Sequence, residues 1–193
     1  MERKLITLTT DFGYKDPFVG IMKGVLVGIN PDCRIIDLSH EVPPQDPMAG
    51  ALVLRCSAPY FPKGTIHVVV VDPGVGTNRR PLLIESEGHF FIGPDNGVLS
   101  FALEGKEVGQ IIELSNGIYH LKPTSTTFHG RDIFAPVAAY LSLGIPAQDF
   151  GTRVKDFTRL LGPKSPKRSF PSRARSSTSI ASATLSPTST SAT

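Results

Sequence analysis

The stretch Val68 to Arg80, VVVVDPGVGTNRR, most narrows what this chain can fold into. Four successive valines read as a strand buried on both faces, because β-branched side chains suit a pleated interior and no polar alternation marks a solvated side. Asp72 stands where that strand stops. A Pro-Gly-x-Gly turn follows, whose glycines accept backbone angles closed to other residues, and then come Arg79 and Arg80. The chain therefore brings a carboxylate to the end of a central strand and bends sharply there, which is where open α/β sheets bind ligands.

The flanking segments fit such a sheet. Leu5 to Thr10 predicts a strand that ends at Asp11 much as the valine strand ends at Asp72. Pro17 opens a helix carrying Phe18, Ile21, Met22, Val25 and Leu26 at helical spacing, and Asn30-Pro31 closes it. Cys33 to Leu38 predicts a second strand, and Asp46 a capped helix through Ala49, Leu52, Val53 and Cys56. Thr65 to Asp72 is the central strand. Pro81 to Glu85 and Phe90 to Ile92 form a hairpin around Gly88. A tight loop at Gly93 to Gly97 leads into a short helix through Leu99 and Leu103. A second hairpin is expected from Ile111 to Leu114 and Ile118 to Leu121, around Asn116-Gly117. The last element is an apolar helix from Ile133 to Leu143, stopped by Gly144. Strands alternating with helices, then hairpins, indicate an α/β domain with a mainly parallel central sheet flanked by helices.

Charge divides the chain in two. The net charge of +3 arises from residues 164–193, which hold five basic residues and no acidic one; the first 163 residues are left with 15 basic and 17 acidic side chains, a net of −2. A mildly acidic body argues against nucleic acid as its partner. No secretory leader or membrane-length apolar run is evident, and Cys33 and Cys56 read as reduced core residues, so the expected compartment is the cytoplasm. The expected organisation is a domain over 1–163 and a Ser/Thr-rich basic tail over 164–193 with the composition of disorder.

The chemical candidates are polar residues at element ends: Asp11, Asp16, Asp72, Arg79, Asp95, Asn96, His129, Arg131 and Asp132. Each has a plainer reading. Asp95-Asn96-Gly97 suits a turn, Asp132 a helix start, and Arg79-Arg80 a solvated pair. An Asp–His–Arg site and a metal site of Asp11, Asp72 and His129 both fit the spacing. His67, His89 and His120 read as structural, and His40 is left open.

Five segments, LTTDFGYKDPFVGIMKG, DLSHEVPPQD, VVVVDPGVGTNRRPL, FIGPDNGVLS and TFHGRDIFAPVAA, occur in the order found in the S-adenosyl-L-methionine (SAM) hydroxide adenosyltransferases. The chain resembles that family, also called SAM hydrolases and related to the SAM-dependent fluorinase and chlorinase, from about Leu5 to about Leu160. The resemblance implies attack of water or hydroxide on the ribose C5′ of SAM, giving adenosine and L-methionine. It places the catalytic set on Asp72, Arg79 and His129, and substrate contacts on Asp11, Phe12, Asp16, Asn96 and Phe128. It implies SAM as substrate with no cofactor and no metal, and a homotrimer with active sites between subunits. The halogenase relatives lack this Asp and His pair. This chain has it and carries no long insertion between Arg80 and Phe90, so water is favoured over halide.

Family members continue into a β-rich domain with a segment like DRFGNLITNI, whereas here the sequence past Leu161 becomes KSPKRSFPSRARSSTS and onward. Joining the last base of each codon to the first two of the next makes Ala174 to Ser189 compatible with GEVV(H/Y)(V/I)DRFGNLITNI, which predicts a frameshift between about Arg159 and Lys167. A chain without the family's C-terminal β-barrel is expected to show impaired activity. A non-catalytic SAM or adenosine binder and a metal-dependent hydrolase stand as alternatives.

Overall fold

The computed structural model describes residues 5–161. The expected tail lies outside the described residues, as does most of the stretch from Arg159 to Lys167 in which the frameshift is expected. The chain builds one seven-stranded mixed sheet in the order β2-β1-β3-β5-β4-β6-β7. The strands are β1 (Leu5–Thr10), β2 (Arg34–Ser39), β3 (Ile66–Val70), β4 (Pro81–Ser86), β5 (His89–Pro94), β6 (Val108–Glu113) and β7 (Thr152–Val154). Four of them, β2, β1, β3 and β5, run parallel, and the β4, β6 and β7 ladders are antiparallel. The valine strand sits in the parallel part, with Thr10 of β1 paired to Val70 of β3. The carboxylates just past those residues, Asp11 and Asp72, therefore emerge side by side. Strand order reverses at β1, since the chain goes from β1 outward to β2 and then back across to β3. The crevice at that reversal is where a ligand site is expected in an open sheet.

Alternation along β3 explains why every one of its residues is buried. Ile66, Val68 and Val70 face the layer made by α1 (Phe18–Ile29) and α3 (Ala135–Ser142), packing with Met22, Leu26 and Phe134. Val69 and Val71 face the layer made by α2 (Pro47–Ser57) and the turn around Val98 to Leu103. Asp46 caps α2 by accepting the Ala49 N–H at 3.0 Å, and Gly144 follows α3 with φ of +97°. Both ends are as the sequence predicts.

Three expectations are corrected. Residues 117–119 form a 3-10 turn, not a strand, because the Asn116 side chain accepts the Ile118 N–H. The partner of β6 is instead β7, a three-residue strand with no alternation to announce it. The buried face of α2 is Gly50, Ala51 and Leu54, while Leu52 is exposed. A Cβ on Gly50 would stand 3.0 Å from both Val71 and Val98, so the helix rests on the sheet through its bare backbone. Cys56, two residues past Leu54, is turned to the far side and exposed; Cys33 is half-buried, and both thiols are free. No helix among the described residues is long and apolar enough to cross a membrane.

Candidate active site

Arg79 is the centre of the site. It leaves the turn after β3 and folds back on the strand end it came from. Its Nε donates to Asp72 Oδ1 at 2.8 Å, and its Nη2 donates to Asp72 Oδ2 and to His129 Nδ1, the latter at 2.7 Å. The two side chains of the ion pair are only 8% and 5% exposed, so this is a buried bidentate pair and not a solvated one. The Phe134 ring lies 5.6 Å from the guanidinium carbon and covers one side of the cation.

Because arginine can only donate, His129 Nδ1 accepts, and the neutral imidazole carries its proton on Nε2. Burial lowers the His129 pKa below that of a free imidazole. The Arg79 cation lowers it further, against the opposing pull of Asp72 and Asp132.

The turn that returns Arg79 is tight. Gly76 has φ of +78°, and a Cβ there would meet the Thr126 carbonyl oxygen at 2.5 Å. His129 stands just before a single π-helical turn, Gly130–Phe134, that leads into α3. Gly130 permits this approach, since a Cβ on it would lie 3.1 Å from Met22 Sδ of α1. Asp132, 1% exposed, anchors the loop by accepting the Ser125 N–H at 2.7 Å and two donors of Arg131. Its reading as a plain helix start is therefore incomplete.

A cavity of about 330 Å³ opens beside this triad, and its lining includes Asp11, Phe12, Asp72, Phe128 and His129. Asp11 Oδ2 accepts the Gln45 N–H at 2.7 Å, which holds one oxygen and directs the carboxylate along the wall. His40, 1% exposed, supports the same loop. Its Nδ1 lies 2.8 Å from Thr10 Oγ1, and its carbonyl accepts the Gly13 N–H at 2.8 Å. Phe128 meets Phe12 and Phe18 edge to face and those two are tilted to each other, with centroids 5.2–5.8 Å apart, forming an apolar wall. Phe18 is the member that sequence reasoning missed, having counted it only in a helical stripe.

Two expected contacts do not line this cavity. Asp16 is exposed and outside its lining. Asn96 is engaged internally, donating from Nδ2 to the Val71 carbonyl at 2.8 Å and accepting the Val98 N–H at 3.1 Å. As for a metal, no group of three or more His, Cys, Asp or Glu among the described residues is disposed to hold one. The Asp72 oxygens are turned instead to the arginine.

An open α/β sheet whose reversal point holds a buried Asp–Arg pair bridged to His129, beside a cavity with a second carboxylate, has the ligand-site arrangement of open-sheet α/β domains. The chain belongs to the SAM hydroxide adenosyltransferase family, whose N-terminal domain matches residues 6–151. It is 47% identical over 156 residues to the (R)-S-adenosyl-L-methionine hydrolase of Salinispora tropica, covering 79% of this chain and 59% of that one. To the hydrolase of the same name from Methanocaldococcus jannaschii it is 42% identical, covering 78% and 59%. A fluorinase from Nocardia brasiliensis is more distant, at 25% identity over 80% and 59%. The crystal structure of an uncharacterized conserved protein from Thermotoga maritima superposes with a TM-score of 0.80 at 42% identity, covering 82% of this chain and 62% of that one. The chain thus spans about three-fifths of the length of the curated relatives it matches.

Proposed function

We propose that these residues are the N-terminal, chemistry-bearing part of a SAM hydrolase that converts SAM and water to adenosine and L-methionine. The observation that carries this reading is the guanidinium of Arg79 bridging Asp72 and His129 at the cavity wall. A water beside the carboxylate would be oriented by Asp72 as acceptor, with the imidazole of His129, fixed by Arg79 at Nδ1 and by the Ser125 carbonyl, closing its other side. Its oxygen bonds to C5′ as the C5′–S bond breaks. The electron pair goes to sulfur, methionine leaves as a neutral thioether, and the water proton passes to Asp72. The reaction turns a cation into a neutral leaving group, so an apolar wall of Phe12, Phe18 and Phe128 suits it. Asp11 would hold the ribose hydroxyls so that attack is in line, and positioning would supply much of the rate. Asp16 and Asn96 remain proposed substrate contacts.

The remaining parts of the reading rest on the family resemblance: a cytoplasmic homotrimer, SAM as substrate without cofactor, and an additional domain in relatives that completes the adenine site. The test follows adenosine release from SAM by chromatography, in this chain and in a version extended to the length of its relatives. Asp72→Ala and His129→Ala should each lose about 10²- to 10⁴-fold in the extended protein. Unchanged turnover in both would end the assignment. Tight SAM binding without turnover in the extended protein would favour the binder, and loss of activity to a chelator would favour the metal-dependent hydrolase.

A further inference from the structure

The loop Gly93 to Gly97 contributes nothing to the cavity wall, yet it holds both residues that flank the catalytic pair. Asp95, with a side chain only 7% exposed, accepts from Arg80 Nε at 2.8 Å and Nη2 at 2.6 Å, while its own N–H donates to the Arg80 carbonyl at 2.8 Å. Arg80 is the neighbour of Arg79. The next residue, Asn96, donates to the carbonyl of Val71, the neighbour of Asp72. Two consecutive residues thus hold the chain on either side of a buried ion pair, Asp95 through the Arg80 side chain and carbonyl and Asn96 through the Val71 carbonyl.

The same loop is tied to the last described stretch of the chain. Asp95 Oδ1 accepts the Thr158 N–H at 2.6 Å, and Arg80 reaches Asp156 Oδ1 at 3.0 Å. Leu160 lies over Gly97, where a Cβ would come within 2.6 Å of its Cγ, and the Leu160 N–H donates to Ser100 Oγ at 3.2 Å. Asp156 itself is 81% exposed, so its salt bridge contributes little. The buried Asp95 and the half-buried Leu160 are the members of this set that can transmit a displacement.

We propose that Asp95 and Asn96 are positioning residues that set the placement of Arg79 against Asp72 and His129, and that the stretch 156–160 is the outer support of that clamp. The catalytic pair is then coupled to the segment by which the chain leaves this domain. A shift of that segment would loosen the Arg79 bridge without touching the cavity. The inference rests on the Asp72–Arg79–His129 reading only for its effect on rate.

The test therefore reads the bridge directly. In the full chain, the protonation midpoint of His129 is followed by NMR of the imidazole, assigned by its loss in His129→Gln. Besides burial, the groups acting on it are Arg79, Asp72, Asp132 and the Ser125 carbonyl, and it in turn acts on the nearby His120. Asp95→Asn keeps the shape but weakens the grip on Arg80. Its His129 midpoint should move up toward that of a free imidazole, by at least about half a unit, because the Arg79 cation is no longer held at Nδ1. Leu160→Ala should move it the same way by less, and it decides the matter if Asp95→Asn does not fold. In an active, extended protein both variants should lower kcat about tenfold or more with KM for SAM nearly unchanged. A His129 midpoint identical to the parent in the folded variants overturns the clamp. A shifted midpoint with no change in turnover would uphold the clamp and count against the proposed chemistry instead.

Discussion

Replacing Arg79 by leucine should damage this domain far more than its removal together with the Asp72 charge. The single change leaves a 5%-exposed carboxylate without either of its two guanidinium bonds. A buried charge stripped of its partner costs about 3–5 kcal/mol. Asp72→Asn alone strands the 8%-exposed cation instead, at about 2–4 kcal/mol, softened by the Phe134 face and by His129 Nδ1. The double variant Arg79→Leu/Asp72→Asn buries no charge at all and should cost only about 1–2 kcal/mol, since it leaves a neutral amide to be satisfied in place of a stripped charge. The coupling energy of the cycle is then roughly 4–7 kcal/mol, within the span measured for close charge pairs. Urea unfolding followed by circular dichroism measures it, the chain having no tryptophan to report by fluorescence. If Arg79→Leu is already unfolded in buffer while the double variant is folded, the cycle still gives a lower bound. Additivity within about 0.5 kcal/mol would refute the buried-pair reasoning.

The depressed pKa of His129 gives a pH signature. Its neutral form persists below about 6.5, the ordinary imidazole value, so the acid limb of an extended, active protein should lie below that pH. Raising the His129 pKa by Asp95→Asn should move the limb upward, and an unmoved limb would remove His129 from the rate law. His67 predicts an acid lability of the fold itself. Burial first, then His89 and Lys106, lower its pKa to about 3, and its Nδ1 lies 2.8 Å from Thr7 Oγ1. Since the unfolded chain takes this proton near pH 6.5, its contribution is complete above that pH and falls by about 1.4 kcal/mol per unit down toward pH 3. Between pH 7 and 5, the wild type should lose about 2 kcal/mol more than His67→Gln in urea titrations. Equal losses would show that the imidazole titrates freely.

Much of the fold is legible in the sequence alone. The valine run identified the central strand because burial on both faces leaves no room for alternation, and Asp46 and Gly144 mark their helix ends through local chemistry that needs no tertiary partner. Asp72, Arg79 and His129 were legible as a set only through the family's motifs, since their spacing alone also suited a metal site. What escaped depends on contacts distant in sequence. The strand β7 exists because β6 is there to pair with it, and nothing within Thr152–Val154 says so. The wrong face of α2 was assigned because the helix rests on the sheet through Gly50, where the lack of a side chain is what packs. The internal bonds of Asn96 escape as well, since a free turn amide and one bonded to the Val71 carbonyl read alike in sequence.

The hairpin joining β4 to β5 turns at Glu87 and Gly88, both with positive φ. Since β5 runs parallel to β3, this turn lies at the opposite end of the sheet from Asp72. Chemistry and attachment can therefore be separated on this domain. A peptide tag, a surface anchor or a fluorescent reporter inserted between those two residues would leave the cavity mouth open. Immobilised domains could then be screened for adenosine-bearing ligands with every site facing the solution.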